Sequence, residues 1–163
     1  MALNLQSKKT IVSKIHEISK LALSAIIADS NGIETNKITE LRKKARKLRV
    51  TIKIVQNNLL RLAIQGTHLE CLKNSLKGPS LIGYSFIHPG SAARLFTKFS
   101  KDNVKFKIIS AVFEQKLLTK TQINQLANMP TYEESIIKLL FIMKEASVGK
   151  IVRILFHLSK KIN

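Results

Sequence analysis

The sequence predicts an α/β protein: an N-terminal single-sheet α/β sandwich domain followed by a long C-terminal α-helix. Three observations carry that expectation. Helix-period and strand-period apolar patterns alternate along residues 1–130, as a sheet covered by helices requires. Pro130 closes that stretch, and a helix-start signature follows at once. From Thr131 to Lys161 no further proline intervenes, which gives roughly 45 Å of helix at 1.5 Å per residue.

Asn4 suits the cap of a first helix over Leu5–Lys20, with Leu5, Ile11, Ile15 and Ile18 broadly on one face. Leu21–Ala28 reads as a strand, ended by the turn Asp29-Ser-Asn-Gly32. Asn36 opens a second helix to about Arg49, and Val50–Val55 is a strand in alternation. Asn57 starts a short helix stopped by Gly66. Thr67-His-Leu-Glu70 reads as a capping box for the next helix, which Gly78-Pro79 ends. Ser80–Tyr84 reads as a strand, and Pro89 suits the first turn of a helix over 89–102. Val104–Phe113 reads as a long strand, with a shorter helical stretch after Thr121. Thr131 and Glu134 then form the sharpest local signal, a capping box with Glu133 adding charge at the positive end of the dipole.

Charge is divided unevenly. The 163 residues carry 28 Lys+Arg against 10 Asp+Glu, a formal +18, with 45% hydrophobic residues. That apolar share excludes a wholly disordered basic tail and implies a folded body meeting a polyanion. Residues 1–130 hold 22 Lys/Arg and 7 Asp/Glu, a net +15, whereas residues 131–163 hold 6 and 3, a net +3. The polyanion site is therefore expected in the first segment. Lys outnumbers Arg 22 to 6, which suits phosphate contact better than base reading. Arg42, Lys43, Lys44, Arg46, Lys47 and Arg49 crowd the second helix, while Ile38, Leu41, Ala45 and Leu48 keep an apolar stripe. Lys53 and Arg61 extend that surface, Lys8, Lys9 and Lys14 make a second patch, and Lys98, Lys101, Lys105 and Lys107 a third that solubility alone explains.

The terminal helix is apolar on most sides. One stripe runs Ile136, Leu140, Met143, Ser147, Ile151, Ile154, Leu158 and Ile162, and a second carries Ile137, Phe141, Val148, Val152, Leu155 and Phe156. Such a helix must be buried, either on its own domain or by partner proteins. The second is the expectation here, with Gly149 dividing the rod into two segments, each with room for a separate partner.

No catalytic or metal site is expected. The six glycines are scattered, and His16, His68, His88 and His157 lie far apart, as surface or helix-start residues do. Cys71, the single cysteine, excludes an internal disulfide and reads as a small half-buried hydrophobe on a helix. The N-terminus shows no apolar signal region, and no apolar run approaches the ~20 residues of a membrane span. A soluble cytoplasmic protein without a cofactor, a membrane association or a small-molecule substrate is the expectation.

Several motifs in order carry a resemblance. They are Ala28-Asp-Ser-Asn-Gly32, Thr39-Glu-Leu-Arg-Lys43, Val55-Gln-Asn-Asn-Leu-Leu-Arg61 and Gly78-Pro-Ser-Leu-Ile-Gly-Tyr84. Ala92-Ala-Arg-Leu-Phe96, Leu126-Ala-Asn-Met-Pro-Thr-Tyr-Glu-Glu134 and Met143-Lys-Glu-Ala146 complete them. Along its whole length the chain resembles the bacterial ribosomal protein L ten family, which forms the base of the large-subunit stalk. The resemblance implies that the N-terminal domain, residues 1–130, binds large-subunit rRNA at the GTPase-associated centre, with ribosomal protein L eleven as neighbour. It implies that residues 131–163 dock two dimers of the acidic stalk protein (L seven/L twelve), which recruit translational GTPases. Binding of the protein's own mRNA leader, as a repressor, is a further implied role. Carried over by position, RNA contact falls on Lys8, Lys9, Arg42, Lys43, Arg46, Lys53, Asn57, Asn58 and Arg61. Partner contact falls on Ile136, Ile137, Leu140, Phe141 and Met143 in one segment, and on Ile151, Ile154, Leu155 and Leu158 in the other. The chain departs from the family at Gln56 and Asn58, where relatives carry a basic residue and a threonine, while Asn57 keeps its capping chemistry. From another functional class, a free-standing RNA-binding translational repressor with a self-associating C-terminal coiled coil fits the same charge and apolar pattern.

Overall fold

Asn4 stands in extended backbone and its side chain accepts the Leu5 N–H at 2.7 Å, so α1 (Leu5–Leu21) begins where a short polar acceptor meets an orphan amide. The computed structural model describes residues 4–76, 78–103 and 105–162, and for residues 74, 151, 156 and 160–162 the backbone alone. The described residues fall into two compact units, Met1–Met129 and Pro130–Asn163.

In the first unit the chain forms β1 (Ser24–Asp29), α2 (Thr35–Lys47), β2 (Val50–Ile54), α3 (Asn57–Ile64) and a 3-10 helix (Glu70–Ser75). It continues as β3 (Ser80–Ser85), α4 (Gly90–Asp102), β4 (Lys107–Phe113), β5 (Lys116–Leu118) and α5 (Lys120–Ala127). The five strands make one sheet in the order β2-β3-β1-β4-β5, antiparallel at every pairing. Helices cover both faces. Ile26 and Ala28 of β1 join Leu41 and Ala45 of α2, Phe96 and Phe99 of α4, and Ile123 of α5 in one core. Ala25 and Ile27 join Ile15 of α1, Leu60 and Ile64 of α3, and Leu72 of the 3-10 helix in the other. A central strand buried on both sides reads as a continuous apolar run, which is why Ala25-Ile-Ile-Ala28 shows no alternation. The predicted α/β class with one sheet is what the first unit adopts.

Several boundaries differ from the sequence expectation. Leu21 closes α1, and the strand starts at Ser24: the Ala22 N–H still bonds Ile18 O at 3.0 Å, and only the Leu23 N–H turns to Ser85 O at 2.8 Å. Asn36 lies inside α2, whose N-cap Glu34 makes no side-chain cap bond. The expected capping box at Thr67 does not form. The Thr67 hydroxyl donates to Ile64 O at 2.7 Å, Glu70 pairs with Lys73, and one short 3-10 helix follows instead of an α-helix. Val104, the expected start of the fourth strand, lies outside the described residues. The hairpin to β5 was not expected at all. Glu114 and Gln115 both take positive φ (50° and 62°), the geometry of a two-residue type I′ turn, without the Asn-Gly pair that announces one. Cys71 is exposed, not half-buried, and its thiol donates to Gln115 O in that turn at 3.1 Å.

Tyr84, buried on β3, accepts a hydrogen bond from the Ser19 hydroxyl at 3.3 Å. Burial pushes its phenol up from 10.0 to about 12, against a downward pull from Ser19. Between those values the unfolded chain releases a proton that the folded chain keeps, so stability falls as pH rises through the window. Two units amount to about 2.7 kcal/mol at most. Urea midpoints measured from about pH 9 to about pH 12 should therefore drop, and Tyr84→Phe should remove most of that drop.

The second unit holds α6 (Tyr132–Lys144), a π-helical turn (Glu145–Gly149) and α7 (Lys150–Ile162). Its capping box forms as expected: the Glu134 N–H donates to Thr131 Oγ1 at 3.3 Å, and the Thr131 N–H donates to Glu134 Oε2 at 3.0 Å. The helical path is not uniform, since it widens into the π turn that ends at Gly149. A Cβ at Gly149 would lie 2.6 Å from Glu145 Oε2, and the Glu145 carboxylate reaches past Gly149 to pair with Arg153, about two helical turns on. Among the described residues no helix is long and apolar enough to cross a membrane, and no group of His, Cys, Asp or Glu gathers as a metal site would require.

Candidate nucleic-acid interface

α2 puts Leu41 and Ala45 into the core and leaves Arg42, Lys43, Lys44, Arg46 and Lys47 exposed on its outer side. Lys44, Arg46 and Lys47 occupy the last turn, where the helix dipole favours cations, so part of this crowding is local helix chemistry. The remainder is repulsive without a counter-charge, since Glu40 is the only acid between Lys37 and Arg49.

Arg49, at φ 53°, turns the chain directly from α2 into β2, which is an edge strand of the sheet. That short reversal sets Arg42 and Arg46 beside Thr51, Ile52 and Lys53 around a groove of about 210 Å³ with no carboxylate in its lining. A second groove, of about 610 Å³, runs beyond the end of β2 and is lined by Gln56, Asn57, Asn58 and the Gly78-Pro79 loop. Asn57 does not cap α3. Gln56 is the N-cap without a side-chain bond, and the Asn57 amide donates to Gly78 O at 2.9 Å. The Arg61 guanidinium donates to Leu76 O at 3.3 Å, so two of the expected RNA-contact residues hold backbone carbonyls, those of Leu76 and Gly78.

The structure therefore brings Arg42, Arg46 and Lys53 together around one groove, and Asn57 and Asn58 around the other. Lys43 and Arg61 lie outside both linings, as do Lys8 and Lys9, which are exposed in the first turns of α1. α1 and α3 share the opposite face from α2, joined by His16 Nδ1 at 2.9 Å from Ala63 O. Thr51 on the edge strand β2 and Ser80 at the start of β3, which wall the two grooves, escaped the sequence reading because a position in the sheet leaves no local signature.

The terminal helix carries the other expected site. No described residue of α6 is buried; Leu140 is 59% and Phe141 66% exposed. Ile136, Ile137, Met143, Ile154, Leu155 and Leu158 are exposed as well. The side chain of Ile151 lies outside the described residues, as do those of Phe156 and Ile162 in the two stripes.

Comparison with known proteins decides the family. The family model described as "Ribosomal protein L10" matches residues 3–101. The chain is 59% identical over 161 residues to the large ribosomal subunit protein uL10 of Buchnera aphidicola subsp. Schizaphis graminum, covering 99% of this chain and 98% of that protein. The chain belongs to the ribosomal protein L10 family. The uL10 proteins of Escherichia coli O1:K1 and Shigella boydii serotype 18 are each 54% identical over 155 residues, covering 95% of this chain and 94% of theirs. As an L10-family member it is a structural ribosomal protein and not an enzyme.

Proposed function

We propose that this chain forms the base of the stalk on the large ribosomal subunit in the cytoplasm. The body holds large-subunit rRNA at the GTPase-associated centre, with Arg42, Arg46, Lys53, Asn57 and Asn58 at the two grooves and Lys8, Lys9, Lys43 and Arg61 as flanking contacts. Ribosomal protein L eleven is its neighbour there. The two halves of the terminal helix each dock one dimer of the acidic stalk protein, L seven/L twelve, and so bring translational GTPases to the subunit. The same RNA surface accepts the protein's own mRNA leader.

The observation that supports this reading best is segregation. A net +15 lies on residues 1–130, while the large apolar side chains of α6 stand exposed on a segment of net +3. Exposed apolar surface of that extent marks a protein interface, and a lysine-rich body marks phosphate contact.

Arg42→Glu with Arg46→Glu should weaken binding to an rRNA fragment carrying the GTPase-associated centre at least tenfold. It should also make the dependence of log K on log salt shallower by about 2. Native mass spectrometry of the full chain with the acidic protein should still show four copies bound. A stable homodimer of the pure protein in light scattering, unchanged by the acidic protein, would instead favour a free-standing repressor with a self-associating coiled coil.

A further inference from the structure

Two lysines of the third cluster of the sequence, Lys101 and Lys107, acquire a shape in the fold together with Lys120, which the sequence did not single out. α4, β4 and α5 wall a groove of about 400 Å³ lined by Lys101, Lys107 and Lys120 together with Thr97, Ser100 and Asn124. All three lysines are exposed, and no carboxylate contributes to the lining. The Thr97 hydroxyl in its wall is buried without a hydrogen-bond partner among the described residues. A second groove of about 440 Å³ adjoins it, sharing Thr97 and Lys101 and adding Lys98 and Asp102.

We propose that Lys101, Lys107 and Lys120 form a second contact of the body with an RNA phosphate backbone, separate from the α2–β2 groove and gripping a different backbone segment. From the proposed function this takes only that the partner is RNA. The sheet order sets the two contacts apart: β2 and β5 are opposite edges, four strand spacings or about 19 Å from each other. α2 packs on β2, whereas α5 packs on β4 and β5. Both cation clusters lie on the same helical layer.

The chemistry selects backbone over bases. Every cation lining the groove is a lysine, a point charge without the planar fork that reads base edges. Its one aromatic, Phe106, is 1% exposed and offers no stacking platform. RNA is favoured over an acidic protein because a protein interface needs exposed apolar anchors at its centre, and here Phe106 and Ile123 are buried in the floor.

The test uses the full chain carrying Lys101→Gln, Lys107→Gln and Lys120→Gln, with the rRNA fragment of the GTPase-associated centre as probe. The lysines are exposed, so the variant should keep the wild-type circular dichroism and melting temperature. Its salt dependence should be shallower than wild type by about 2 for a single strand and by nearly 3 for a duplex. Combining it with Arg42→Glu and Arg46→Glu should add the two reductions. A wild-type slope for the lysine variant, alongside a reduced slope for the arginine variant, overturns the second contact and leaves the proposed function standing. Wild-type slopes for both variants overturn both. Loss of assembly into ribosomes with an unchanged RNA slope also overturns it, and assigns the cluster to an acidic protein.

Discussion

Leu140→Asp should abolish docking of the acidic dimer on α6 and leave rRNA affinity unchanged. Leu140 stands 59% exposed in the middle of α6, one helical turn from Ile136 and from Met143. In a docked complex a carboxylate there would be desolvated against apolar surface and would face an acidic partner, and both effects oppose binding. A loss of at least a hundredfold is expected, against an intrinsic helix-propensity cost of only about 0.5 kcal/mol. Native mass spectrometry should show one dimer remaining, on α7. Retention of both dimers would remove Leu140 from the docking face. A parallel fall in RNA affinity would contradict the division of labour between the two units.

Phe96→Ala should cost about 3–5 kcal/mol, a large share of the 5–15 kcal/mol that holds an ordinary domain together. Phe96 is fully buried and lies directly on Gly83, where a Cβ would sit 2.7 Å from the ring's Cζ. It meets Phe106 edge to face at 5.4 Å, and Phe106 meets Phe99 in the same manner at 5.0 Å. Removing the ring leaves a cavity between α4 and β3 that a glycine strand cannot fill by side-chain movement. The urea midpoint should fall accordingly at unchanged slope. A loss under 1 kcal/mol would show that the two elements collapse onto each other. Gly83→Ala should also destabilise, by overpacking against the same ring.

Signals that close within one turn of helix were legible in the sequence. Asn4 and the Thr131–Glu134 box needed nothing beyond their neighbours, and both caps formed. Thr67 and Glu70 have the same spacing, yet the Thr67 hydroxyl is taken by the last carbonyl of α3. A local pattern cannot register that competing acceptor. The type I′ hairpin at Glu114 and Gln115 was hidden because neither residue favours positive φ, and strand pairing imposes it. Cys71 was misjudged for a related reason: its surroundings are made by a turn 44 residues away.

At the candidate interface, the identity of the cations was plain from composition, and their grouping was not. Arg42, Arg46 and Lys53 meet only because Arg49 folds α2 back onto an edge strand. Asn57 and Arg61, read as contacts, also hold the backbone carbonyls of Gly78 and Leu76. Lys101 and Lys107 looked like ordinary solubilising charges until β4 and α5 were set side by side and brought Lys120, which the sequence did not single out, beside them.

The π turn at Glu145–Gly149 changes what the apolar stripes of the terminal helix mean. A π turn takes about one residue more per revolution than an α-helix, and one residue swings the azimuth of everything that follows by about 100°. The line from Ile136 to Leu158 is thus not a single seam down one side. It is two facets aimed along different compass bearings, so visitors seated on consecutive halves would stand clear of each other rather than queue shoulder to shoulder.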